Sequence, residues 1–225
     1  MNPVLLILAI LPGLAISYVM FRLDKYEREP FGALVFCFIL GAALTMPAVW
    51  AERWAFHRAG PQSDYSIMQV LWLSFGAVSL NEELLKFGAL RLLVFPQRFF
   101  NEPIDGIVYA VLIAMGFATL ENLLYADRFG LPTVVLRTFT AVPTHLAFAI
   151  VQGYYFGLAR FNPKGRTRLL AKGFVLAVLL HGAYDVLILQ HWFDWLFVLA
   201  TIALYLVLYY VSRMVKEHLS NSPFK

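Results

Sequence analysis

The sequence predicts an all-α fold, a polytopic transmembrane bundle of about seven helices. Three observations predict it. Of 225 residues 60% are hydrophobic, only 14% are charged, and mean hydropathy is +0.69. A soluble domain carries roughly 25% charged residues, so this chain has too little charge to cover a water-facing surface. The remaining charges fall mainly between long apolar runs. This composition excludes a disordered chain, a soluble enzyme and a nucleic-acid binder. The net charge of +4 reads instead as basic loops on the cytoplasmic face. The single cysteine, Cys37, excludes an internal disulfide and a cysteine-rich zinc module.

A span needs about 20 mostly apolar residues. Seven runs qualify: Asn2–Phe21, Phe31–Ala51, Ile67–Phe95, Ile104–Ala126, Thr133–Ala159, Leu169–Gln190 and Trp195–Val211. The third is long enough to be two segments, so the count lies between six and eight. Ser66 and Pro103 are helix-start signals, and Phe161–Gly165 is a loop. Alternating the loops between two sides puts twelve basic residues on one side and three, Arg53, Arg58 and Arg128, on the other. That bias predicts an N-out, C-in orientation. The first span has no basic residue before it and a cluster after it, which reads as an N-out anchor. Residues 1–225 form a single membrane domain with its functional core at about 67–190. A multi-pass membrane protein is expected, with the bilayer as its partner.

Ionisable residues within spans cost about 2.5–3.5 kcal/mol each, so they mark where chemistry is expected. Asn81, Glu82, Glu83 and Lys86 lie in the third run. Asp105, Glu121 and Asn122 lie in the fourth, Arg137 and His145 in the fifth, and His181 and Asp185 in the sixth. The other three spans carry essentially none, so the pattern predicts one shared interior site. Glu82 and Lys86 are spaced i,i+4 in the favourable acid-first order. His181 and Asp185 share that spacing, which lets a carboxylate orient the imidazole. His57 and His218 read as loop residues, His191 as a span-edge residue, and Gly153-x-x-x-Gly157 as a close helix-packing face.

Several protease chemistries are absent. No His-Glu-x-x-His, no Gly-x-Ser-x-Gly and no Gly-x-Gly-Asp partner for Tyr184-Asp185 occurs. What remains is a water activated by Glu and His, with or without a metal. A proton-coupled transporter and a non-catalytic membrane scaffold draw on the same buried polar residues and stay open at this point.

Glu82-Glu83-Leu84-Leu85-Lys86 resembles the Glu-Glu-x-x-Lys signature of the PrsW family. Asp105–Tyr109 and Gly116–Tyr125 are similar to its next block, and the segments around His145 and His181–Asp185 to its two histidine blocks. The resemblance covers about residues 75–190. It implies a bacterial intramembrane protease of the inner (plasma) membrane with a membrane protein substrate as its partner, best known for cutting an anti-sigma factor, within a clan that includes type II CAAX prenyl endopeptidases and a scaffold subunit of gamma-secretase. A CAAX-type endopeptidase is the alternative activity. By position, Glu82, Glu83, Glu121, Asn122, His145, His181 and Asp185 are the site candidates, supported by Lys86, Arg137 and Asp105. The expected roles are Glu82, ahead of Glu83, as general base, Asn122 as oxyanion donor and Asp185 as orienter of His181. His145 and His181 position the water or, with Glu82, hold a zinc ion; otherwise no cofactor is expected.

Overall fold

A computed structural model describes residues 2–225. Seven helical rods are present, and no strand occurs among the described residues. They are α1 (Pro3–Leu23); α2 (Phe31–Ala59); a rod made of α3 (Ile67–Leu71), a wide π-helical stretch (Trp72–Ser79), α4 (Leu80–Ala89) and a second π stretch (Leu90–Val94); α5 (Pro103–Phe129); α6 (Leu131–Phe139) followed by α7 (Ala141–Phe161); α8 (Arg166–Leu189); and α9 (Trp195–Ser220). Six of them are long and apolar enough to cross a membrane. The α3–α4 rod is set apart by the charges of α4.

Start signals explain several boundaries. Asn2 caps α1 through its side chain, Ser66 and Gln69 form a capping box for α3, and Pro103 occupies the first turn of α5. The expected second span ended at Ala51, but α2 continues through Glu52 to Ala59. His218, expected in a surface loop, lies in α9, is fully buried and shares a 2.8 Å hydrogen bond between Nδ1 and the Pro103 carbonyl.

The bundle is built around α5, whose apolar stretch is 83% buried by the other helices. Small residues allow that closeness. A methyl group at Gly116 would strike the Phe38 carbonyl of α2, and one at Gly153 would strike Gly106 across the α5–α7 contact. Without a hydrophobic drive inside lipid, such backbone approach is how spans hold together. Outer helices leave Trp50, Leu92 and Ile39 exposed, as lipid-facing positions require.

The turns after α1 and before α5 meet on one face of the bundle. Asp24 accepts the Glu29 N–H at 3.1 Å, and Asp105 accepts the N–H groups of Asn101 and Glu102 at 2.6 and 2.8 Å. The Tyr109 hydroxyl donates to Glu29. Asp24, Glu29, Glu102 and Asp105 are all buried, and among the described residues none forms an ion pair. Burial therefore pushes the Asp24 carboxyl up to about 7. Burial and then the neighbouring Asp105 push Glu29 up to about 10. Glu102 is raised as well, by burial first. In the unfolded chain these groups lose their protons near pH 4, so the fold binds more protons than the unfolded state above that pH. Stability from this junction is full in acid and is lost as pH rises through about 7 for Asp24 and on towards about 10 for Glu29. Thermal unfolding in detergent should show a midpoint that falls between about pH 5 and pH 9. Glu29→Gln, which cannot ionise, should flatten that fall; an unchanged slope would contradict the assignment.

Candidate active site

The site forms where α4, α5, α6, α7 and α8 face one another. Helical spacing places Glu82, Glu83 and Lys86 within one turn of α4. The Lys86 ammonium touches Glu82 Oε2 at 2.9 Å, Glu83 Oε1 at 2.9 Å and His145 Nδ1 at 3.2 Å. An ammonium has three protons and no lone pair. All three are consumed, and His145 Nδ1 must be an acceptor. The His145 proton therefore sits on Nε2, which donates to Glu121 Oε2 at 3.0 Å. Glu121 in turn pairs with Arg137 Nη2 at 2.8 Å. Arg137 donates from Nε to Asn122 Oδ1 at 2.8 Å and stacks 3.9 Å over the Tyr125 ring. One chain of contacts thus links four helices and fixes the neutral tautomer of His145.

His181 approaches from α8. Its Nδ1 lies 3.0 Å from Glu83 Oε1 and its Nε2 lies 3.4 Å from Asp185 Oδ2. Phe148 stacks on its ring at 4.9 Å, and the two histidine rings stand edge-on at 5.9 Å. Glu82, Glu83, Lys86, His145 and His181 are between 2 and 6% exposed, so the low dielectric strengthens every one of these contacts.

A cavity of about 260 Å³ opens beside the cluster, lined by Glu82, Glu121, Arg137, His145, His181 and Asp185 among others. It shares Glu52, Phe56, Glu121, Tyr125 and Leu189 with a wider hollow of about 570 Å³. That hollow reaches Gln62 and Arg128, near the turns that follow α2 and α5. Glu82 faces the cavity. Glu83 instead faces a small void between α5 and α7 that is also lined by Lys86, His145 and Gln152.

The expected residues do not all stand in the same place. Glu82, Glu83, Lys86, Glu121, His145, His181, Asp185 and Arg137 form one connected cluster. Asn122 is fully buried behind Arg137 and is not part of the cavity wall; its amide nitrogen has no partner among the described residues. Asp105 lies sixteen residues before Glu121 on α5, roughly 24 Å away at 1.5 Å per residue, and serves the helix start. The structure adds Glu52, on the cavity wall and 3.5 Å from Asn81 Nδ2, and Gln152, on the small void. Glu52 is an acid close behind an apolar run, a signal hidden by ending that span at Ala51.

Donor atoms of Glu82, Glu83 and His181 all lie within 4.8 Å of one another, close enough to share one metal ion. This differs from the expected Glu82, His145 and His181 set. His145 lies outside that group, with Nδ1 against Lys86 and Nε2 against Glu121. Two carboxylates and an imidazole with an open side match the donor chemistry of a catalytic zinc centre, so the residues fit a metal.

The model of the PrsW family of intramembrane metalloproteases matches residues 29–214. The chain belongs to the PrsW family. Among curated relatives, a protease PrsW of Geobacillus kaustophilus is 34% identical over 79% of this chain and 76% of its own length. The Bacillus subtilis protease PrsW is 34% identical over 81% of this chain and 83% of its own. That of Halalkalibacterium halodurans is 31% identical over 96% and 97%. No solved structure matches the chain. Like its PrsW relatives, the protein is a membrane-embedded peptide hydrolase, and its six apolar spans make it a multi-pass membrane protein.

Lys86 is the only cation touching both glutamates of the PrsW signature among the described residues. Lys86→Met should therefore strip both buried carboxylates of their shared cation and lower stability by about 3–5 kcal/mol. Thermal unfolding of the purified variant in detergent measures this; a midpoint equal to the wild type would contradict the arrangement.

Proposed function

We propose that the protein hydrolyses a peptide bond of a membrane-anchored protein, of the anti-sigma-factor kind, with a water activated at Glu82. The observation that carries this reading is the position of Glu82, the signature glutamate that faces the cavity while Glu83 faces away. The contacts of Glu82 run through Oε2 to Lys86 and His145, which leaves Oε1 for the cavity. Oε1 takes a proton from water, and the resulting hydroxide attacks the scissile carbonyl carbon. The carbonyl oxygen becomes an oxyanion beside the Arg137 guanidinium on the cavity wall. Asn122 positions that guanidinium through the Nε bond. When the tetrahedral intermediate collapses, the C–N bond breaks and the proton held by Glu82 passes to the leaving nitrogen.

Lys86 holds both glutamates in place, and Asp185 lies against the far nitrogen of His181. A divalent metal, with zinc the proposed ion, would be held by Glu82, Glu83 and His181. Bound there, it would supply Lewis acidity and lower the pKa of a water towards ~7. The cavity joins the hollow near the 60–66 turn. The basic-loop bias puts that face outside the cell, so we assign cleavage to the outer side of the cell's inner membrane.

Reconstituted in vesicles with a membrane-anchored substrate, Glu82→Gln and His181→Ala should each lose roughly 100-fold or more of the cleavage rate. Near wild-type turnover in both, with insertion intact, would end the proposal. Metal content separates the two histidines. His145→Ala should keep stoichiometric zinc, whereas His181→Ala should lose it. Zinc retained by His181→Ala and lost by His145→Ala would reverse the ligand assignment.

A further inference from the structure

On the face opposite the cavity mouth, three arginines gather round one ring. The guanidinium carbons of Arg91, Arg160 and Arg166 lie 5.3, 5.6 and 5.7 Å from the centre of Phe95. None of them has an Asp or Glu within ion-pairing distance among the described residues. Arg160 donates to the carbonyls of Phe95 and Gln97 at 2.8 and 3.1 Å, and Arg166 Nε to that of Ala159 at 3.3 Å. These carbonyls hold the guanidiniums without neutralising them. With no carboxylate beside these three charges, a counter-anion is the missing element.

Beside Arg91 and Arg166 runs a groove of about 370 Å³. Phe87, Leu170 and Phe174 form its apolar side, with the two phenylalanine rings 5.1 Å apart. Thr167 lies on its wall, and α8 starts at Arg166 without a side-chain cap, so its first amides are free to meet an anion. Leu92 and Leu93 next to Arg91 are exposed, so the neighbouring surface is lipid-facing. The groove is thus cationic at one end and apolar along its length.

We propose that this groove binds an anionic phospholipid. Its phosphodiester sits against Arg91, Arg166, the Thr167 hydroxyl and the first amides of α8, and an acyl chain lies along Phe87, Leu170 and Phe174. A free phosphate has no use for the apolar wall, and a zwitterionic headgroup brings its own cation to a site already rich in positive charge. The two-part chemistry selects a lipid of net negative charge, and basic residues at the interface are worth about 1 kcal/mol each towards such lipids. The assignment stands apart from the cleavage site and does not rest on it.

The test is native mass spectrometry of the full chain in detergent, offered phosphatidylglycerol or phosphatidylcholine. The wild type should retain one phosphatidylglycerol in clear preference to phosphatidylcholine. Arg91→Gln with Arg166→Gln should weaken that retention roughly 30-fold, while Arg213→Gln with Lys216→Gln on the same face leaves it unchanged. Ala171→Phe, which fills the groove but keeps both arginines, should also abolish it. Equal retention of the two lipids, or an unaffected arginine double variant, would overturn the proposal. So would displacement of the lipid by millimolar inorganic phosphate, which would make the site one for free phosphate.

Discussion

The site depends on one buried ammonium. Lys86 is 4% exposed and spends its three protons on Glu82, Glu83 and His145. In a low-dielectric interior two adjacent carboxylates repel strongly and each is costly to desolvate. The ammonium between them lowers that cost and fixes both side chains. It also dictates the protonation of His145, because an ammonium cannot accept. The proton pushed to Nε2 is what Glu121 receives, and Glu121 is held by Arg137 from the next rod. The geometry of four helices at the cavity wall is therefore set from one atom.

The backbone architecture serves that atom. Helices in lipid gain little from burying apolar side chains against one another, so small residues must let backbones touch. Gly116 against α2 and Gly106 against Gly153 and Gly157 of α7 bring α5 to the centre. From there Glu121 reaches His145, and the polar residues are withdrawn from lipid. The same helix has a second polar end, where Asp105 accepts the N–H groups of Asn101 and Glu102 at its start. Both ends of α5 are thus fixed by hydrogen bonds while its middle is packed by shape.

Much of this was legible in the sequence, for a physical reason. Charges are expensive in a membrane, so those that persist within apolar runs stand out. Glu82, Glu83, Lys86, Glu121, His145, His181 and Asp185 were all visible that way, and the structure draws them together. What could not be read was direction and depth. Asp105 is a span acid of the same helix, yet it lies sixteen residues, roughly 24 Å, from Glu121. Asn122 adjoins Glu121, but a 100° step turns it behind Arg137. Glu52 was lost because hydropathy ends the span before the helix ends. The division of labour between the histidines depends on which ring nitrogen meets Lys86, and no spacing encodes that. The π-helical stretches that flank α4 lie inside one continuous apolar run and are equally invisible in it.

The most direct measurement is heteronuclear NMR of the imidazole nitrogens in protein labelled at its five histidines. At neutral pH, His145 should appear as the neutral tautomer protonated at Nε2, and Lys86→Met should abolish that state. An imidazolium at His145, or a tautomer protonated at Nδ1, would contradict the claim that Lys86 organises the site.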